Sequence, residues 1–154
     1  ALKGTVTVGK KSLKWIPLFG QVYWLSGNIM IDRKNSGRAM DTLKGTVKKM
    51  HKRKLSVWFF PEGTRSYGRG LLPFKTGAFR IAQLAKCPVI IVAASNLHNK
   101  IKLNRWDNGT LIIDVSKPQE LDSSRSTKEW TSYFHAAMAQ KIAELDSEVA
   151  AGNR

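Results

Sequence analysis

The side chains best equipped for chemistry stand together in Phe60-Pro61-Glu62-Gly63-Thr64-Arg65-Ser66. An apolar run reaches Pro61, which has no N–H to give a sheet ladder, so a strand is expected to end there and the chain to turn. That turn suits an anion. Gly63 permits close backbone approach, Thr64 and Ser66 offer hydroxyls, and the planar guanidinium of Arg65 grips two phosphate oxygens at once. Glu62, a poor partner for phosphate, is expected to hold the turn or a nearby cation. The same residues also suit a solvated turn with a Glu62–Arg65 surface pair, an interaction worth only ~0.2 to 1 kcal/mol.

A second apolar run, Gly27-Asn28-Ile29-Met30-Ile31-Asp32-Arg33, likewise closes on an acidic and a basic residue. Parallel strands end on one side, so Arg33 and Arg65 are expected to share the crevice at the carboxyl edge of the sheet, where open α/β sheets bind ligands. The plainer alternative is a strand-end ion pair between Asp32 and Arg33. Lys75, in Pro73-Phe74-Lys75-Thr76-Gly77-Ala78, precedes an expected helix whose free N–H groups also favour an anion; otherwise it is an ordinary solvated lysine.

The elements that must position these groups are short. Apolar runs over 4–8, 28–32, 55–60, 88–94 and 110–115 read as strands, and their near continuity suggests burial on both faces. Met40, Leu43, Val47 and Met50 recur at helical spacing, with Lys48, Lys49, Lys52, Arg53 and Lys54 at the end where the helix dipole favours cations. Further helices are expected from Thr76 and from Ser126-Thr127-Lys128-Glu129, a capping-box pattern. Strands alternating with helices imply one α/β domain over 1–154, with a mostly parallel central sheet flanked by helices.

The 26 Lys and Arg residues outnumber 11 Asp and Glu, giving a formal charge of +15 that calls for a polyanionic partner. Nucleic acid, an anionic bilayer and a phosphorylated substrate all qualify by charge, but no groove-reading motif supports nucleic acid. Lys10, Lys11 and Lys14 are followed closely by Trp15, Phe19, Tyr23 and Trp24, a mixture that suits an interfacial membrane element; the alternative is a helical hairpin with a solvated basic face. One cysteine, Cys87, precludes an internal disulfide and fits a reducing compartment.

Phe60 to Ser66, followed by Arg69-Gly70-Leu71-Leu72-Pro73-Phe74-Lys75-Thr76-Gly77-Ala78, resembles the third signature block of the glycerolipid acyltransferases, and in particular the bacterial enzymes that acylate 1-acylglycerol 3-phosphate. Gly27 to Arg33 resembles the second block and Cys87-Pro88-Val89-Ile90-Ile91-Val92 the fourth. The resemblance implies acyl transfer from acyl-CoA or acyl carrier protein to the 2-hydroxyl of lysophosphatidic acid, without metal or cofactor, at the cytoplasmic face of a bacterial inner membrane. It assigns the acceptor phosphate to Arg33, Glu62, Gly63, Thr64, Arg65, Ser66 and Lys75, and the acyl pocket to Gly27 and Pro88. Related enzymes that take glycerol 3-phosphate or lysophospholipid headgroups remain alternatives.

The family's first block, a general-base His followed five residues later by Asp, has no match. His51 and His135 have Ser56 and Gln140 at that spacing, and His98 has Leu103. The chain also starts without Met on a strand-like run, so it is expected to be a partial domain whose catalytic pair lies ahead of Ala1. The 154-residue chain is therefore expected to release no thiol from acyl-CoA and lysophosphatidic acid; turnover above the uncatalysed background would show that the base is among these residues.

Overall fold

The computed structural model describes residues 4–10, 19–31, 39–100, 102 and 104–152. In chain order the elements are β1 (Thr5–Lys10), α1 (Phe19–Leu25), β2 (Ile29–Ile31), α2 (Ala39–Arg53), β3 (Ser56–Trp58), α3 (Gly77–Ala85), β4 (Val92–Ala94), β5 (Ile113–Val115) and α4 (Thr127–Gly152). β1 lies between β2 and β3 and runs parallel to both, Val8 opposite Ile29 and Thr5 opposite Ser56. Each parallel step is made by a helical crossover, as the alternating pattern requires. β5 differs: it returns from β4 without a helix and pairs antiparallel, Ala93 opposite Asp114.

Several strands are shorter than the apolar runs that mark them. The 88–94 run becomes β4 only from Val92, because the Ile91 N–H donates to the Ser116 hydroxyl (2.9 Å) instead of a backbone carbonyl. Pairing resumes beyond that break at Val89 and Gln119. Nor are the strands covered on both faces: Val6, Ile29 and Ala93 are buried, whereas Trp58, Ile90 and Val115 are exposed.

The helices follow their end chemistry. α2 begins with Asp41 in its first turn and ends with His51, Lys52 and Arg53, each sign matching the dipole. α4 opens with a reciprocal capping box: the Ser126 N–H donates to Glu129 Oε2 (2.7 Å), and the Glu129 N–H to the Ser126 hydroxyl (3.2 Å). Those hydrogen bonds hold the Glu129 carboxyl below the usual range. A depressed carboxyl stabilises the fold above its unfolded pKa, and that contribution is lost as pH falls through the folded value.

α3 is packed on two sides. Its Ile81 and Ala85 join Met50 of α2 and Val57 and Phe59 in one core, while Phe79 joins Trp130 and Phe134 of α4 and Val89 and Ile91 in another. The Phe79 and Phe134 rings stack at 5.3 Å between centroids. α3 ends at Lys86 in the left-handed conformation, its N–H on the carbonyls of Ala82 and Gln83. Ile81 is 1% exposed and Leu84, on the same helix, 47%. Ile81→Ala should therefore destabilise the fold by about 2 to 5 kcal/mol and Leu84→Ala by less than about 1 kcal/mol, as measured by denaturant unfolding. Equal losses would show that α3 is not the shared wall of two cores.

Candidate functional site

The chain leaves β3 at Trp58, two residues before the expected exit, and re-enters regular structure at α3; residues 61–75 form the loop between. Its two ends are tied by one bond, from the Lys75 N–H to the Pro61 carbonyl (2.8 Å). Inside the loop Glu62 Oε2 accepts the Leu72 N–H at 2.9 Å, and the Gly63 N–H donates to the Phe60 carbonyl at 3.0 Å. Glu62 is thus turned to its own backbone. The alternative Glu62–Arg65 pair is not formed, and among the described residues Arg65 and Lys75 engage no carboxylate.

Arg65 is exposed, its guanidinium 5.9 Å from the centroid of the Tyr67 ring. Tyr67 sits at φ 52° and Gly63 at φ 72°, so the loop turns sharply on both sides of Thr64 and Arg65. Arg69 points elsewhere: its Nε and its backbone N–H both donate to the Ser66 carbonyl, at 2.9 and 3.2 Å. This ties Arg69 to the loop through one nitrogen, whereas among the described residues the side chains of Arg65 and Lys75 make no hydrogen bond or ion pair. Ser66 is half-buried and Thr64 exposed.

Gly68 was not singled out by the sequence, yet it fixes a contact. Its φ is +83°, and a Cβ there would fall 2.3 Å from His98 Nε2, so only the absence of a side chain lets that ring lie on the loop. The other histidines are structural: His51 Nε2 bonds the Ala85 carbonyl at 2.9 Å, linking α2 to α3, and the His135 ring meets Phe74 edge-on at 4.9 Å.

An open, apolar groove of about 610 Å³ runs below the loop between residues 55–59 of the first sheet and residues 87–92 of the second, floored by Ala78 and Ala82. Pro88 lines it. Gly27 does not: it precedes β2 on the far side of β1, at φ +80°, and the nearest group to its missing Cβ is the Arg53 guanidinium at 3.9 Å. Arg33 lies outside the described residues. Burial pushes the Cys87 thiol up, so this groove residue is a neutral thiol at neutral pH.

A parallel α/β sheet with a cationic loop at its carboxyl edge and an apolar groove beneath sets a place suited to an anion next to one suited to an apolar chain. Comparison with known proteins narrows it. A model of the acyltransferase family matches residues 2–95. The 1-acyl-sn-glycerol-3-phosphate acyltransferase of Salmonella typhimurium is 53% identical over 148 residues, which are 95% of this chain and 60% of that protein. The protein of the same name from Haemophilus influenzae is 50% identical over 151 residues, 97% of this chain and 63% of its own. The crystal structure of the 1-acyl-sn-glycerophosphate acyltransferase PlsC from Thermotoga maritima superposes with a TM-score of 0.68 at 23% identity, covering 92% of this chain and 56% of that one. The chain belongs to the acyltransferase family, and it spans about three fifths of the length of these bacterial relatives.

Glu62 is assigned here to holding the loop. Glu62→Gln keeps an acceptor for the Leu72 N–H, whereas Glu62→Ala leaves that donor without a partner, at a cost of about 1 to 3 kcal/mol. Amide exchange at Leu72 and Lys75 should quicken in Glu62→Ala and stay near the parent rate in Glu62→Gln. Equal quickening in both would move Glu62 from scaffold to charge.

Proposed function

We propose that these 154 residues are the greater part of one acyltransferase domain that binds lysophosphatidic acid and passes a fatty acyl group to its 2-hydroxyl. The observation that carries the reading is the loop at 61–75, whose carboxylate is consumed by the backbone while Arg65 and Lys75 stay uncommitted. The acceptor phosphate sits on Arg65, with the hydroxyls of Thr64 and Ser66 and the backbone of Gly63 around it. Arg33 is proposed as a further phosphate ligand. The names of the bacterial relatives support the same acceptor.

In this reading the acyl chain lies in the groove lined by Pro88, whose volume falls within the ~300 to 1,000 Å³ common for ligand sites. The acceptor hydroxyl oxygen attacks the thioester carbonyl carbon of acyl-CoA or acyl carrier protein. A C–O bond forms, the C–S bond breaks, and the hydroxyl proton passes through a general base to the departing thiolate. The base is assigned to a His-x4-Asp pair in the length of the relatives that this chain does not span. What the residues here contribute is position, which is worth ~7 to 11 kcal/mol when it yields a near-attack geometry.

Phospholipid synthesis takes place where the lipids are, and the reading includes an anionic membrane surface as partner. Among the described residues no helix is long and apolar enough to cross a membrane. Contact with the surface is assigned to the basic and aromatic stretch around α1, where Val22 and Leu25 are exposed one turn apart; residues 11–18 of that stretch lie outside the described residues.

The test is at Arg65. Truncating one partner of a desolvated charged contact costs about 2 to 5 kcal/mol, so Arg65→Ala should weaken lysophosphatidic acid binding roughly 30-fold or more. Arg65→Lys keeps charge but loses the two-point grip and should fall between Arg65→Ala and the parent. Arg69→Ala, whose side chain is spent on the Ser66 carbonyl, should change binding less than about threefold. Equally mild effects of Arg65→Ala and Arg69→Ala in folded protein would remove the phosphate from this loop.

A further inference from the structure

The connection from β4 to β5 leaves the sheet beside the 61–75 loop, as the seat of His98 on Gly68 shows. It is built, not merely draped. At its base the Asn96 N–H donates to Asp146 Oδ1 of α4 (2.6 Å). Farther out Asn108 closes a turn, Oδ1 accepting the Lys102 N–H at 2.7 Å and Nδ2 donating to the Arg105 carbonyl at 2.8 Å. Gly109, at φ +81°, donates its N–H to Asp107 Oδ1 (3.0 Å).

This stapled turn holds Trp106 fully exposed, and among the described residues no other ring or cation meets its indole. Lys100, Lys102 and Arg105 stand exposed around it, and the single acidic residue, Asp107, is occupied by the turn. Leu111 and, at the start of β5, Ile113 follow, both exposed. An exposed indole on a turn that also carries three exposed cations, followed by two exposed aliphatic side chains, matches a surface that is anionic outside and apolar just beneath. Duplex nucleic acid offers the charge without an apolar layer for Leu111 and Ile113.

We propose that this turn is a second membrane anchor, seating the Trp106 indole at headgroup depth in an anionic bilayer with Lys100, Lys102 and Arg105 on the lipid phosphates. The inference rests on the proposed lysophosphatidic acid reading in one respect: the connection that carries the turn seats His98 on Gly68 of the 61–75 loop, so docking it brings that loop toward the plane in which such an acceptor lies.

The experiment is co-sedimentation of the 154-residue chain with phosphatidylcholine vesicles, with and without phosphatidylglycerol, and quenching of tryptophan emission by lipids brominated near the headgroup. Trp106→Ala should lower partition onto the anionic vesicles about tenfold. The combined Lys100→Gln, Lys102→Gln and Arg105→Gln change should lower it roughly a hundredfold, and on neutral vesicles hardly at all. Trp106→Phe, which removes no packing, should abolish a quenched component that the parent shows. Less than about a twofold change in every variant would overturn the anchor. So would duplex DNA displacing the vesicles through the same three cations with Trp106→Ala indifferent. Binding of a short-chain, monomeric lysophosphatidic acid in solution, compared between parent and Arg65→Ala, isolates the site reading: its failure there would leave vesicle partition through Trp106 standing, and the reverse outcome would strike only the anchor.

Discussion

Phe79 and Ile81 lie two positions apart on α3, a rotation of about 200° on a helix, so they face opposite ways. Each is seated in a different core, Ile81 against α2 and β3, Phe79 against α4 and the 88–94 strand. No ladder joins β3 to β4 among the described residues, and α3 is the element through which the two sheets hold one another. Everything that makes the site depends on this double seating. α3 follows the 61–75 loop directly, so fixing the helix fixes Lys75, and the Lys75 N–H in turn closes the loop onto Pro61.

The loop then solves an electrostatic problem with few atoms. A cationic turn needs its backbone held without neutralising its cations, and Glu62 does this by accepting a backbone N–H, not a guanidinium. Arg69 is used the same way, folded back on the Ser66 carbonyl. Of the loop's exposed cations, Arg65 beside Tyr67 and Lys75 at the foot of α3 are those whose side chains make no hydrogen bond to the loop backbone among the described residues. Below them the lining turns apolar within a few residues.

Features with a local cause were legible in the sequence. The capping box at Ser126 and Glu129, the cations closing α2, and the turn begun by Pro61 each follow from neighbours a few residues apart. So did the family resemblance of residues 60–78, which the family match and the relatives bear out. Features set by distant partners were not legible. α1 was blurred by Gly20 and by the Ser26-Gly27-Asn28 turn that ends it, and nothing local announces that His98 will lie on Gly68. Gly27 was placed in the pocket by resemblance, but strand order puts β1 between it and the groove. Nothing local marks Trp106, because exposure is a property of packing that no spacing encodes.

The groove also has a meaning for the chain as a material. Its walls include the edges of β3 and β4 that no strand among the described residues pairs with, and the exposed faces of Trp58, Ile90 and Val115, the kind of surface on which strands of neighbouring molecules add. What holds neighbours apart is the net charge of +15, acting over about 10 Å in 0.1 M salt and only about 3 Å in 1 M. Colloidal behaviour thus runs opposite to that of a neutral globule with paired edges. Mutual repulsion is expected to keep the molecules dispersed in dilute buffer, and added salt, by shortening that repulsion, to let such edges approach each other.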